Sequence, residues 1–236
     1  MKKNKSCLLL LIGAILIQSV TAQTADEIIN KYVEAIGGAE KIETLKSVKM
    51  TGTLNVQGFD VGIVVTGLHQ VGMRTDIAVP GMGDGFQLMN TTKGWNFFPF
   101  QGQTAPQEVA ADQVKAGQAA LDLQGALFNY QSKGNKVELV GKEALGAMEV
   151  YKLKLTNSSG KVSTFFFDTK TFYRVKTITS AVTPEGEMEV ETTYDDFRKT
   201  PEGYVFPFST TTTRGTLLFS TIEINQTVDE KIFTAE

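Results

Sequence analysis

Hydrophobic positions near the start of the chain recur at helical spacing. Ile28, Ile29, Tyr32, Val33 and Ile36 share one face, Thr24 is placed to cap the first turn, Asp26 and Glu27 sit where the helix dipole favours them, and Gly37-Gly38 stops the run. A second short helical piece, Ala39 to Leu45, precedes a change of period. Val48, Met50, Leu54 and Val56 alternate with Lys49, Thr51, Thr53 and Asn55, the signature of a half-buried strand. Alternation continues through Phe59 to Val65 and Val71 to Val79, with Gly58 and Pro80-Gly81 as turns, and then through Phe86 to Met89 and Trp95 to Phe98.

From Pro106 to Tyr130 the alternation is absent. Val109, Val114, Ala119, Leu123, Leu127 and Phe128 are spread among alanine, glutamine and glycine, which predicts a helical or loop-and-helix insert. Strand patterning returns at Val137 to Val140, Val150 to Leu155, Val162 to Phe167, Tyr173 to Ile178, Met188 to Tyr194, Phe208 to Arg214 and Leu217 to Ile224. The connections are short, so the pairing should be antiparallel, and the count is about eleven or twelve strands. Tyr151, Leu153 and Leu155 oppose Lys152 and Lys154, and Met188, Val190 and Tyr194 oppose Glu187, Glu189 and Glu191. One face therefore looks inward and the other meets water. So many strands cannot lie flat; the expectation is a mainly β fold with some α, a curved antiparallel sheet curling toward a barrel with helices over its concave side.

The first 22 residues stand apart. Lys2, Lys3 and Lys5 precede an apolar run from Leu8 to Ile17, and Val20-Thr21-Ala22 then offers small residues before Gln23, the layout of a secretory signal peptide cleaved after Ala22. The run is shorter than the roughly 17 to 25 residues of a membrane-spanning helix. Cys7, the only cysteine, precedes the run instead of following it, so the mature protein should carry no lipid. The expectation is a periplasmic protein of one domain, residues 23–236. Loss of the three leader lysines lowers the basic count from 23 to 20 against 26 acids, a formal charge of −6 that disfavours nucleic acid as a partner.

Motifs of catalysis are missing from the sequence. There is no G-x-S-x-G elbow, phosphate loop or dinucleotide fingerprint, and His69 is the single histidine, which leaves no soft-ligand metal site and no cofactor to expect. Gly81 to Gly85 follows Pro80 between two strands and reads as a turn. Asp195 and Asp196 beside Arg198 read as a solvated strand end, because adjacent strand residues point to opposite sides. Arg74 and Asp76 share a strand face, as a surface ion pair or as a polar contact to a ligand head group. Sequons at Asn90, Asn157 and Asn225 are treated as chance.

Apolar surplus is the stronger signal. Met82, Phe86, Trp95, Phe97, Phe98 and Phe100 crowd one region, and Phe165, Phe166 and Phe167 place aromatics on both faces of one strand. Either these residues fill an ordinary core, or they line a concave cavity with its mouth at the Met82 to Phe100 loops and a cap in the insert around Leu121 to Phe128. Under the second reading the ligand-binding candidates are Met82, Phe86, Trp95, Phe97, Phe98, Leu123, Leu127, Phe128 and Phe166, with Arg74 as the polar candidate.

Several phrases resemble the outer-membrane lipoprotein-sorting, or LolA/LolB-like, family. They are Ala25 to Ile29 through Ile36-Gly37-Gly38 and Val48 to Gly52, Val137 to Glu143 followed by Val150 to Leu153, Phe166 to Thr171, Tyr194 to Arg198 with Gly203 and Pro207, and Val228 to Phe233. The resemblance implies an unclosed β-barrel of about eleven strands with helices as a lid over a hydrophobic cavity. It implies a non-enzymatic carrier or binder of lipid or lipoprotein acyl chains, monomeric, with transient membrane contact. Its alternative is a protein-interaction or envelope-sensor module with protein partners on the same fold. Carriers of the family use an arginine-proline pair in an early strand to hold the lid shut; here Arg74 is followed by Thr75, so that role does not carry over.

Overall fold

The computed structural model describes residues 23–56, 58–183 and 186–235, so the expected signal peptide lies outside the described residues. Helix α1 (Ala25–Ala35) begins with a reciprocal cap: the Thr24 hydroxyl accepts from the Glu27 N–H at 3.2 Å, and the Thr24 N–H donates to the Glu27 carboxylate at 3.1 Å. Ile28, Ile29 and Val33 are its buried stripe. Gly37 and Gly38 end it with positive φ values of 137° and 91°, a region costly for side-chain-bearing residues. Helix α2 (Ala39–Glu43) leads into the sheet.

Thirteen strands form that sheet. They are β1 (Ser47–Val56), β2 (Phe59–Leu68), β3 (Gly72–Val79), β4 (Gly83–Asn90), β5 (Gly94–Phe97), β6 (Gln107–Glu108), β7 (Lys136–Leu145), β8 (Met148–Thr156), β9 (Val162–Asp168), β10 (Arg174–Thr183), β11 (Gly186–Lys199), β12 (Val205–Thr212) and β13 (Gly215–Ile224). The order runs β6-β5-β4-β3-β2-β1-β13-β12-β11-β10-β9-β8-β7, every pairing is antiparallel, and β6 and β7 do not meet, so the sheet is not closed into a barrel. Pairing of β1 with β13 joins the two halves of the chain at the centre. The strand beyond the expected eleven or twelve is β6, two residues that pair with Trp95 and Asn96 inside the segment where alternation fails. Two residues are too few to show a period. The rest of that insert holds α3 (Ala111–Gly117) and a 3-10 turn, Gln118–Leu121.

The ladder registers separate the two faces. Val48, Met50 and Leu54 align with Ile224, Ile222 and Leu217, and Leu153 aligns with Phe165. These side chains belong to the inner face, where α1 packs. The core gathers Ile28, Ile29, Val33, Leu127, Phe128, Tyr151, Leu153, Phe165, Phe167, Ile222 and Ile224. On the outer face the 3-10 turn Glu230–Phe233 folds back over β3 and β4, where Phe233 is buried against Gly72 so closely that a Cβ there has no room. Phe166 is also outward, yet only 2% exposed, because the Lys152 and Lys176 ammonium groups each lie 5.4 Å from its ring centroid and their stems shield it.

Candidate functional site

The inner face is covered unevenly. Helix α1 lies over the β8–β9 side, with Tyr32 edge-on to Phe167 at 5.1 Å. The insert is stitched to the other side: the Gln70 N–H donates to the Leu121 carbonyl at 2.8 Å, the Leu123 N–H to His69 Nδ1 at 3.1 Å, and the Gln124 amide to the Glu43 carbonyl at 3.0 Å. A cavity of about 350 Å³ remains in the seam between helix and insert, lined by Asp26, Asn30, Asn129, Tyr130 and Gln131 over Ile29 and Phe128. Tyr130 crosses that seam and donates to Asp26 at 2.7 Å, a bond that holds its phenol pKa above the ordinary value.

Further along the inner face, Leu54, Val61, Val65, Ile77, Phe208 and Leu217 are only half-buried. Antiparallel pairing puts the β1–β2, β3–β4 and β10–β11 hairpins at one end of the sheet, and large apolar side chains stand exposed near their tips: Phe59 at 74%, Met82 at 59% and Met188 at 53%. At the opposite end of β10 sits Arg174. A register shift between Arg174 and Lys176 turns the arginine to the inner face, with its guanidinium 4.7 Å from the Tyr194 ring centroid and 5.8 Å from that of Phe165. It is half-buried, and among the described residues it makes no salt bridge and donates no side-chain hydrogen bond. Thr177, the next inward position because it pairs with Phe165, is 6% exposed and its hydroxyl has no partner among the described residues. This end of the inner apolar band carries Arg174, the Thr177 hydroxyl, and Arg198, whose guanidinium lies 4.6 Å from the Phe208 ring centroid and pairs with Asp196.

No protein-family model matches this chain, and no curated protein matches it. Solved structures do. A LolA superfamily protein from Nitrosomonas europaea aligns over 90% of this chain and 98% of its own at 17% identity and a TM-score of 0.57. The fold is LolA-like. A DUF1329 family protein from Desulfovibrio piger aligns over 89% and 96% at 10% identity with a TM-score of 0.57. A domain from Vibrio parahaemolyticus, named for outer membrane lipoprotein sorting, aligns over 88% and 94% at 13% identity with a TM-score of 0.53.

Within the LolA-like fold the residues expected to act together are divided. Leu127 and Phe128 belong to the main core beneath α1, and Leu123 packs at its margin. Phe98 lies on the inner side, next to Gly85. Arg74, Phe86 and Phe97 do meet, but on the outer face, in a cleft of about 420 Å³ that Val64, Ala78 and Asp84 also line. There Arg74 grips Asp76 at 2.7 Å, lies 4.5 Å from the Phe86 ring centroid, and donates to the Ile232 carbonyl at 3.2 Å, so it fastens the C-terminal turn, and among the described residues it makes no hydrogen bond or salt bridge to the insert. Trp95 shares the outer face beside Leu88, Met82 stands at a hairpin tip, and Phe166 lies on the outer face away from either group. The inward cation was missed because a bulge, which no alternation reveals, sets the direction of Arg174.

No cluster of three or more metal-ligating side chains occurs among the described residues. Asp196 sits at φ 53° in an irregular stretch of β11 and pairs with Arg198, whose hydrogen bonds hold its carboxyl below the ordinary pKa. Gly83–Asn90 starts a strand and not a helix, so the glycine-rich turn before it has no helix N-terminus to offer an anion.

Proposed function

We propose that the protein is a non-enzymatic periplasmic carrier or binder of lipid acyl chains, processed by loss of residues 1–22 and working as a single domain of residues 23–236. The observation that carries this reading is the half-buried apolar band on the inner face, running from Phe208 and Leu217 to an exposed rim at Phe59, Met82 and Met188. Large apolar side chains at an open edge cost free energy in water unless something covers them in the working cycle. An acyl chain is a fitting cover, since each buried methylene contributes about 0.8 kcal/mol. The LolA-like fold supports the same reading, and lipoprotein sorting is its finer form, with transient membrane contact at loading and release.

Native mass spectrometry of gently purified mature protein, together with extraction and lipid analysis, tests the proposal. Co-purified chains, or saturable uptake of a fluorescent fatty acid, are the expected results. Absence of both would leave the alternative of a protein-interaction or sensor module, which the outer cleft at Arg74, Phe86 and Phe97 favours.

A further inference from the structure

We infer that Arg174, with the Thr177 hydroxyl beside it, anchors an anionic head group, so that the ligand is a single-chain amphiphile carrying a carboxylate or phosphate at the end of the inner apolar band away from the rim. The inference rests on the acyl-chain reading above and names the chemistry of the end that the chain alone does not specify. Two observations carry it. The guanidinium is turned inward by a bulge and held over Phe165 and Tyr194 with no carboxylate in reach among the described residues. A cation so placed is short of the anion that would offset its desolvation. The neighbouring Thr177 hydroxyl is buried and has no partner among the described residues, although most buried polar groups in folded proteins are satisfied.

The two groups suit one occupant. A guanidinium presents a planar fork of donors that matches carboxylate or phosphate oxygens, and a hydroxyl adds one more donor. A neutral head would gain only the weaker bonds of an uncharged acceptor, and a cationic head would be repelled by the guanidinium. Position along the strand agrees with this. From Arg174 to Ala181, which pairs with Met188 near the rim, is seven residues of β10, roughly 23 Å at about 3.3 Å per residue. A long acyl chain fixed by its head at Arg174 can therefore lie against Thr179, Val190, Phe208 and Leu217 and reach the apolar rim.

The test compares four ligands of one chain length, hexadecanoate, hexadecyl phosphate, hexadecanol and hexadecyltrimethylammonium, by displacement of a fluorescent fatty acid from the mature protein. The anions should bind at least about tenfold more tightly than the alcohol. Arg174→Met, which keeps an apolar stem, should bring the anions down to the alcohol's affinity while leaving the alcohol unchanged. Retained hexadecanol binding shows that the variant is folded. Arg174→Lys should restore part of the preference, and Thr177→Val should weaken the anions only. The ratio of hexadecanoate to hexadecyl phosphate separates the two sources of negative charge. Equal affinity of alcohol and anions, or an anion preference that survives Arg174→Met, overturns the anchor and leaves chain binding standing. Failure of all four ligands to bind overturns the acyl-chain reading and the anchor with it.

Discussion

His69 Nδ1 accepts a hydrogen bond from the Leu123 N–H at 3.1 Å, and this contact ties the insert to the turn between β2 and β3. The bond requires an unprotonated Nδ1. The neighbouring Asp122 carboxylate lies 3.8 Å from the same nitrogen, and Lys133 holds its other oxygen at 2.6 Å. The histidine is thereby one of three ties, with Gln70 and Gln124, that hold the insert over the inner face.

His69→Ala should leave the Leu123 N–H with only its 3.2 Å bond to the Leu121 carbonyl, without unfolding the sheet. Loss of one hydrogen bond costs about 0.5–1.5 kcal/mol. Hydrogen exchange should accelerate at Leu123, while amides of β1 and β13 keep their protection. Because Gln70 also holds Leu121, an unchanged exchange rate at Leu123 would show that this second bond suffices.

Leu127→Glu and Phe128→Glu should unfold the protein as completely as Tyr151→Glu and Leu153→Glu. The sequence reading places Leu127 and Phe128 in a movable lid, which would spare the sheet from such a change. They are instead 2% and 7% exposed and share one core with Tyr151 and Leu153. A carboxylate in that core costs several kcal/mol, a large part of a typical domain's stability. Thermal unfolding of the four variants decides the matter: a cooperative transition kept by Leu127→Glu alone would restore a lid there.

Alternation and capping made most of this architecture legible. The Thr24 to Glu27 cap, the Gly37-Gly38 stop, the switch of period at Val48 and the interruption after Pro106 are all local patterns, and the structure realises each one. Period also identified inward residues such as Tyr151, Leu153 and Leu155. It did not resolve where aromatic residues from different strands meet. Phe86 and Phe98 are close in sequence but lie on opposite sides of the sheet, since the first pairs with Asp76 on the outer face and the second leaves β5 and lies beside Gly85 on the inner side. Phe166 reads as a cavity residue because it is apolar, whereas the stems of Lys152 and Lys176 bury it on the outer face. Arg174 is hidden for a related reason: bulges alter the period by one residue and leave no compositional mark.

Stability should fall in strong alkali through Tyr130. Its phenol donates to Asp26, and that bond, followed by burial and the nearby negative charge, raises its pKa from the ordinary value of 10.0. A raised folded-state pKa means that the contribution is fully present below the unfolded value and lost as pH rises through the folded one. Asp26→Asn removes the charge and should lower the pH at which phenolate absorbance from Tyr130 appears. It should also loosen the seam between α1 and the insert. An unchanged phenolate midpoint in Asp26→Asn would separate the shift from this hydrogen bond.

The rim offers the sharpest separation of stability from function. Phe59 and Met82 are exposed and sit at hairpin tips, so Phe59→Ser and Met82→Ser remove apolar surface that the folded protein scarcely buries. Each should change unfolding free energy by no more than about 0.5 kcal/mol, the ordinary range for surface positions. Leu88→Ala is the contrasting case, because Leu88 is 2% exposed and loss of such a side chain costs about 2–5 kcal/mol. If the rim is where acyl chains enter, the double variant Phe59→Ser with Met82→Ser should take up a fluorescent fatty acid more slowly than wild type despite unchanged stability. Leu88→Ala, measured well below its lowered Tm, should take it up at the wild-type rate, since Leu88 faces the opposite side of the sheet and touches no part of the inner apolar band. Equal uptake by all three proteins would remove the rim from the path of the ligand, and the exposed Phe59 and Met82 would then need another partner to explain them.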